Sequence, residues 1–216
     1  FMLAANEAVA EEAAEAQLGV LFRIHDPPDP GKLEAFRGLA GALGYRLPGP
    51  QGITSGDLQK ALDALHGRPD AALLSQLLLR AMMRACYATE EGEGHFGLAS
   101  ERYLHFTSPI RRYADLLVHR ALVDAYKLEQ PKPKGDIPEA SGLSDRDKTA
   151  LNQITDAISQ TERRAMEAER DTIDRYVAAW LSGRVGETFD TRITGVQGFG
   201  FFATIDKLGG DGLVPV

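Results

Sequence analysis

Arg111 and Arg112 follow the triplet Thr107-Ser108-Pro109, an order that sets two guanidinium groups at the start of a predicted helix, where an anion binds. Ser108 is a good N-cap, and Pro109 suits the first helical position, where no N–H is needed. The pattern predicts a helix over residues 109–125. Its apolar stripe would be Ile110, Ala114, Leu117, Val118, Ala121 and Leu122, with Arg111 pointing inward beside it. An inward guanidinium there shares its end of the helix with unpaired N–H groups and the positive pole, a combination that favours phosphate. Arg112, Asp115 and His119 fall together on the flank. A plainer arrangement is also open: Arg111 and Asp115 lie one turn apart and could form an ion pair worth about 0.3–0.5 kcal/mol, with Asp115 bonded to His119.

The surrounding elements read as α+β. A helix over 4–18 leads to a short strand over 20–24, and Pro30 opens a helix with the stripe Leu33, Phe36, Leu39, Ala40 and Leu43 that Gly44 stops. Thr54 and Asp57 form a capping-box start for a helix to about His66. Pro69 opens another that reaches about Tyr87 and holds Cys86 as a buried thiol. Residues 95–99 and 103–107 read as strand segments feeding the Ser-Pro start, and 128–142 as a loop. Ser144 and Asp147 then cap a helix running to about Leu181.

On that helix Leu151, Ile154, Ile158, Ala165, Ile173, Tyr176 and Trp180 share one stripe, and Glu162 and Glu169 fall on it. Carboxylates on a core face are costly unless paired. They either pair with arginines or reach a functional channel. Residues 189–196 and 199–205 are β-rich, separated by the hairpin signal Gln197-Gly198. The run Gly198-Phe-Gly-Phe-Phe-Ala203 presents aromatics on a Gly-flanked strand, which either stack bases or belong to the core.

Composition narrows the function classes. With 24 Lys and Arg against 31 Asp and Glu, the net charge is −7, which argues against indiscriminate coating of nucleic acid. The positive charge is focused: between His95 and Arg120 stand four arginines and three histidines against only Glu101 and Asp115. That suits a channel admitting one strand. No apolar run approaches the length of a membrane span. The first residues carry Glu7, Glu11 and Glu12 rather than a basic segment, unlike a signal peptide, and the single cysteine fits a reducing cytoplasm.

The string from Gly94 to Arg120, with its core His105-Phe-Thr-Ser-Pro-Ile-Arg-Arg-Tyr113, resembles the signature of the ribonuclease II/ribonuclease R family of processive 3′-to-5′ exoribonucleases. Met2-Leu-Ala-Ala-Asn-Glu, Arg23-Ile-His-Asp, Gly67-Arg-Pro-Asp and the segment 79–87 resemble that family's catalytic domain in the same order. The segment from Gln160 to Asp171 looks like its closing helix. Val185-Gly-Glu-Thr-Phe looks like the opening of an S1 RNA-binding domain.

The resemblance implies the C-terminal half of an RNB-type catalytic domain over 1–183, followed by a truncated S1 barrel of OB type over 184–216. It further implies hydrolysis of single-stranded RNA to nucleoside 5′-monophosphates. Arg111 would hold the scissile or adjacent phosphate, while Arg112, His105, Tyr103, Thr107 and Ser108 would line the channel, supported by Asp115 and His119. An active-site glutamate is expected on the long helix: position favours Glu169, the local motif Thr-Glu-Arg-Arg favours Glu162. Phe199 and Phe202 match the S1 stacking positions. The family's Mg²⁺ is held by clustered aspartates, which are expected upstream of residue 1, with no metal ligand in this chain. The rival is a non-catalytic RNA-binding or scaffold member of the same fold.

Overall fold

A computed structural model describes residues 1–45, 53–68, 71–128, 142–206 and 208–216. Pro69 and most of the predicted loop over 128–142 lie outside the described residues. The chain divides into two compact units, Phe1–Ser159 and Gln160–Val216, and the mixture of helices with small antiparallel sheets is the α+β class the sequence predicts.

The first unit holds α1 (Met2–Glu15), β1 (Phe22–Ile24), α2 (Pro30–Ala42), α3 (Ser55–Leu65), α4 (Ala71–Ala81), β2 (Cys86–Ala88), α5 (Tyr113–Tyr126) and the start of α6 (Asp145–Ser182). Local chemistry explains the helix starts. The Asp29 carboxylate accepts from Lys32 N–H ahead of Pro30, and Thr54 and Asp57 form the full reciprocal capping box, a device worth about 1 kcal/mol. Two cores result. Ala10, Ala13, Leu21, Leu104, Leu117, Val118 and Leu151 gather around α5, while α2, α3 and α4 enclose Leu33, Phe36, Leu58, Leu74 and Leu78.

Three sequence expectations fail in this unit. The helix read as running through 87 ends at Ala81, and Cys86 lies in β2, paired antiparallel with β1 so that Arg23 sits opposite Tyr87. The strands expected at 95–99 and 103–107 are instead a 3₁₀ turn over Phe96–Leu98 and isolated bridges, among them Phe22 to Leu104 and His25 to His95. With only three residues, β1 offers each neighbour too few ladder bonds to grow. The turn itself needs Gly94 at φ +80, where a Cβ would lie 2.4 Å from the Ser100 carbonyl oxygen.

The third failure concerns α5. Arg111 and Arg112 N–H both close onto the Ser108 carbonyl, a single turn, and Arg112 is then extended at φ −127 before the helix begins at Tyr113. Ser108 is therefore not the cap. Ala114, Leu117, Val118 and Ala121 are buried as the stripe predicts, but Ile110 is 102% exposed and Arg111 is exposed rather than inward.

The second unit contains the rest of α6 and an antiparallel meander of β3 (Thr191–Gln197), β4 (Gly200–Ile205) and β5 (Asp211–Pro215). The hairpin comes where Gln197-Gly198 signals it. Gly200, at φ +150, passes so close to β5 that a Cβ would meet the Val214 carbonyl oxygen at 2.3 Å. The helix lies close over Gly210, where a Cβ would fall 2.7 Å from Val177 Cγ1. The predicted core stripe does not continue here: Ala165, Ile173, Tyr176 and Trp180 are exposed, so Glu169, also exposed, and half-buried Glu162 are not charges on a core face.

Candidate nucleic-acid interface

The stretch from Tyr103 to Arg112 has no regular secondary structure beyond its one turn, so side chains from three neighbouring elements and a backbone bond from a fourth fix it. Asn6 of α1 donates from Nδ2 to the Tyr103 hydroxyl at 2.9 Å and accepts at Oδ1 from Phe106 N–H at 3.1 Å. Arg23 N–H of β1 donates to the Tyr103 carbonyl at 2.8 Å. Tyr87 of β2 shares a 2.9 Å hydrogen bond between its hydroxyl and His105 Nδ1. From α5, His119 Nε2 donates to the Phe106 carbonyl at 2.8 Å while its ring stacks on Phe106 at 4.2 Å.

Asp115 is the fifth tether. It is fully buried, and its Oδ1 accepts from Ser108 N–H at 2.7 Å and faces Arg112 Nη1 at 3.7 Å, while Oδ2 is buried with no hydrogen-bond partner. Standing in the first turn of α5, this carboxylate reaches back seven residues and binds the amide that a longer helix would have left free. That explains why the helix starts late. The ion pair Arg111–Asp115 and the bond Asp115–His119, both open from spacing, give way to Arg112–Asp115 and His119–Phe106.

The rings form a continuous series, tilted at its first pair and edge to face in the others. His25 lies 5.0 Å from His95, His95 5.4 Å from Tyr103, Tyr103 5.8 Å from His105, and His105 5.7 Å from Tyr87. His25 Nδ1 accepts from Gly97 N–H, so Nε2 carries the proton donated to the Met83 carbonyl. Burial pushes His95 down to about 4, with His25 and Arg23 adding to it. Burial likewise pushes His105 down to about 3, helped by the positive charges of Arg112, Arg23, His95 and Arg111. Both imidazoles are thereby held toward the uncharged form, with Arg112, Arg23 and Arg111 adding to the effect at His105. Such a surface offers charge and directional hydrogen bonds to a phosphodiester backbone.

The structure gathers Tyr103, His105, Ser108, Arg112, Asp115 and His119, with Thr107 half-buried and Arg111 exposed on the same stretch. Glu162 and Glu169 lie on the part of α6 within the second unit. There Phe199 and Phe202 are 58% and 38% exposed and meet edge to face at 6.4 Å. Sequence reasoning passed over Arg23, Tyr87 and Asn6. Asn6 carries a usable signal, a lone polar residue one and two turns before Ala10 and Ala13 on a buried helix face. Arg23 and Tyr87 become neighbours only through strand pairing. Among the described residues no group of three or more His, Cys, Asp or Glu could hold a metal ion, so they offer no cradle for the Mg²⁺ that the resemblance implies. No described helix is long and apolar enough to cross a membrane.

The RNB domain model matches residues 1–127, and the chain belongs to that family. Within it the chain is similar to Ribonuclease R of Aquifex aeolicus, 41% identical over 218 residues, covering 100% of this chain and 29% of that protein. The structure of Mycoplasma genitalium RNase R in complex with ribose methylated single-stranded RNA matches at TM-score 0.84 and 28% identity, covering 100% of this chain and 32% of that one. Yeast Ssd1, described as a pseudonuclease, shares the fold at TM-score 0.72 and 21% identity over 99% of this chain and 26% of its own. The chain thus spans about three-tenths of the length of the ribonuclease R proteins it matches.

Proposed function

We propose that this chain is part of a hydrolytic, processive 3′-to-5′ exoribonuclease that degrades single-stranded RNA to nucleoside 5′-monophosphates in the cytoplasm. The observation that carries this reading is the irregular stretch bearing His105, Arg111 and Arg112, whose Ser108 amide is bonded by the buried carboxylate of Asp115 with Arg112 facing the same oxygen. Arg111, exposed at the turn, holds the scissile or adjacent phosphate. Arg112, His105, Tyr103, Thr107 and Ser108 line the path of the strand, and Asp115 and His119 fix their geometry. The Mg²⁺ that the resemblance implies would supply activation of water and stabilisation of the leaving oxygen, and no group of described residues is assigned to hold it. One of Glu162 and Glu169 assists near the 3′ nucleotide; Glu162→Gln and Glu169→Gln separate them. The segment 184–216 is the start of an S1 domain, whose Phe199 and Phe202 stack bases.

The test is Arg111→Ala in the full-length protein, read as turnover on a short oligoadenylate. Loss of a preorganised charge at the reacting phosphate lowers turnover at least about a hundredfold, with the fold retained; near-normal turnover removes Arg111 from the reaction. The 216-residue chain alone releases no nucleoside monophosphate in Mg²⁺, and release by a contamination-free preparation would show metal ligands within it. A second reading, RNA binding without cleavage, is supported by the likeness in fold to a pseudonuclease. Full-length protein that binds RNA in Mg²⁺ yet releases nothing establishes it.

A further inference from the structure

In the first unit α2 and α4 pack antiparallel, with Asp29 N–H at the head of α2 donating to the Ala81 carbonyl at the foot of α4 at 3.1 Å. Between the two helices runs a shallow, almost wholly apolar groove of about 220 Å³. Buried Phe36 lies at its base, with exposed Leu39 and half-buried Leu77 along its sides. Leu73, one turn beyond Leu77 on α4, extends the exposed apolar surface. Lys32 and Arg80 stand at the end where α2 starts and α4 finishes; both are exposed, and neither has an ion-pair partner among the described residues. The nearby acids of α2 are engaged: Glu34 pairs with Arg37 at 2.6 Å, and the Asp29 carboxylate caps the helix at Lys32 N–H. In a chain of net charge −7, this groove is therefore apolar along its length and cationic at one end.

We propose that this groove docks an acidic amphipathic helix of a partner protein, whose apolar side chains enter between Leu39 and Leu77 while a carboxylate meets Lys32 and Arg80. The volume decides against a small-molecule site, because pockets for drug-sized ligands run from about 300 Å³ upward and enclose most of the ligand. It suits the apolar anchors, one helical turn apart, of a helix laid in a groove. From Lys32 to Leu39 the groove follows α2 for about 10 Å, the length of two turns of a third helix packed alongside. The sign of the occupant follows from the rim. An anionic side chain neutralises two unpaired cations, a basic helix adds repulsion, and a second copy of this acidic chain approaches against its own net charge.

The probe is a fluorescent helix of about 14 residues, with leucines one turn apart flanked by glutamates, stapled because so short a helix is marginal in water. Its counterpart carries lysines in place of the glutamates. Binding of each to the full-length protein is read by anisotropy at low and high salt. The wild type binds the glutamate helix saturably, more weakly as salt rises, and at least about tenfold more tightly than the lysine helix. Lys32→Glu combined with Arg80→Glu reverses that preference, which damage to the fold would not do. Leu39→Glu loses both helices. Turnover on oligoadenylate stays at its wild-type value in these variants, since none of the substituted residues belongs to the Tyr103–Arg112 stretch. Equal binding of the two helices, or a preference that survives the charge reversal, overturns the proposal. Absence of saturable binding by the wild type also overturns it, by showing that the protein's own chain or a second copy fills the groove. Displacement of the bound helix by oligoadenylate overturns it by giving the groove to RNA.

Discussion

In the first unit, Tyr87 and Tyr103 are buried, the Tyr87 hydroxyl bonded to His105 and the Tyr103 hydroxyl accepting from Asn6; in the second, Phe199 and Phe202 stand open at a hairpin with no polar atom to satisfy. Both pairs are aromatic and both lie in segments that resemble RNA-binding sequence, yet they answer different physical demands. The first unit must hold an irregular stretch of ten residues in one conformation, and rigid rings with polar tips do this by tying backbone to backbone. The second has a regular hairpin whose ladder already fixes the strand, leaving its aromatics available to a ligand. Substitutions in the first pair are therefore expected to disturb structure, and those in the second to act, on the proposed function, through binding.

The largest effect expected from that contrast is on RNA binding by the second unit. Phe199→Ala with Phe202→Ala in the full-length protein weakens binding to long single-stranded RNA by about 1–3 kcal/mol per lost stack. The salt slope stays at its wild-type value, because no phosphate contact is removed. Stability changes by no more than about 0.5 kcal/mol, as for exposed positions generally. Anisotropy and urea unfolding on the same preparation check both halves. Unfolding that moves while binding does not would make these rings part of the fold and erase the contrast.

Asp115→Ala gives the converse result in the first unit. The Ser108 amide loses a charge-assisted hydrogen bond of the kind worth about 1.5–3 kcal/mol, whereas Arg112, partly open to solvent, is re-hydrated at little cost. A stability loss of about 2–3 kcal/mol follows, together with a drop in turnover as the arginine turn loses its anchor. Asp115→Asn keeps an acceptor for Ser108 N–H and loses less. Wild-type stability in Asp115→Ala would mean that the turn holds itself and that the five tethers are incidental.

How far the sequence foretold these arrangements depends on the range of the forces involved. The Thr54–Asp57 box, the Pro30 start, the Gly44 stop and the long α6 are decided within a few residues, and all are found as read. The α5 start was misplaced because Ser108-Pro109 is a sound local cap. A buried carboxylate seven residues on overrides it, and nothing in the spacing reveals that Asp115 faces inward. Residues 82–87 continue an apolar run that local propensity extends from α4; pairing with β1 overrides it, as tertiary context does for weak propensities. The exposed half of the α6 stripe shows the limit of periodicity, which marks a face without saying what covers it. At the site, residue types in the signature were legible, while Arg23 and Tyr87 required the strand register.

Acid should also separate the two units, by the smallest of the three effects. All five histidines lie in the first unit, and the second has none. His95 and His105 fall from 6.5 to about 4 and about 3, in each case chiefly because burial disfavours the imidazolium. The folded chain thus binds fewer protons than the unfolded one between these values and 6.5, so stability rises with pH over that window. It is fully present above about 6.5 and is lost as pH falls toward 4 and then 3. Solvent reaching both half-exposed rings reduces the size of the loss. Carboxylates do not confuse a comparison of pH 7 with about pH 5: the Asp57 and Asp147 carboxyls, held low by Thr54 and Ser144, release their share only below 3.8. Trp180, the single tryptophan, reports the second unit, while tyrosine signals report mainly the first. Urea midpoints read by tyrosine circular dichroism should fall between the two pH values, and His105→Gln should reduce that fall while leaving the Trp180 fluorescence transition as in wild type. If His105→Gln loses as much as wild type over the same interval, burial of the His105 imidazole does not contribute to the acid sensitivity of the first unit.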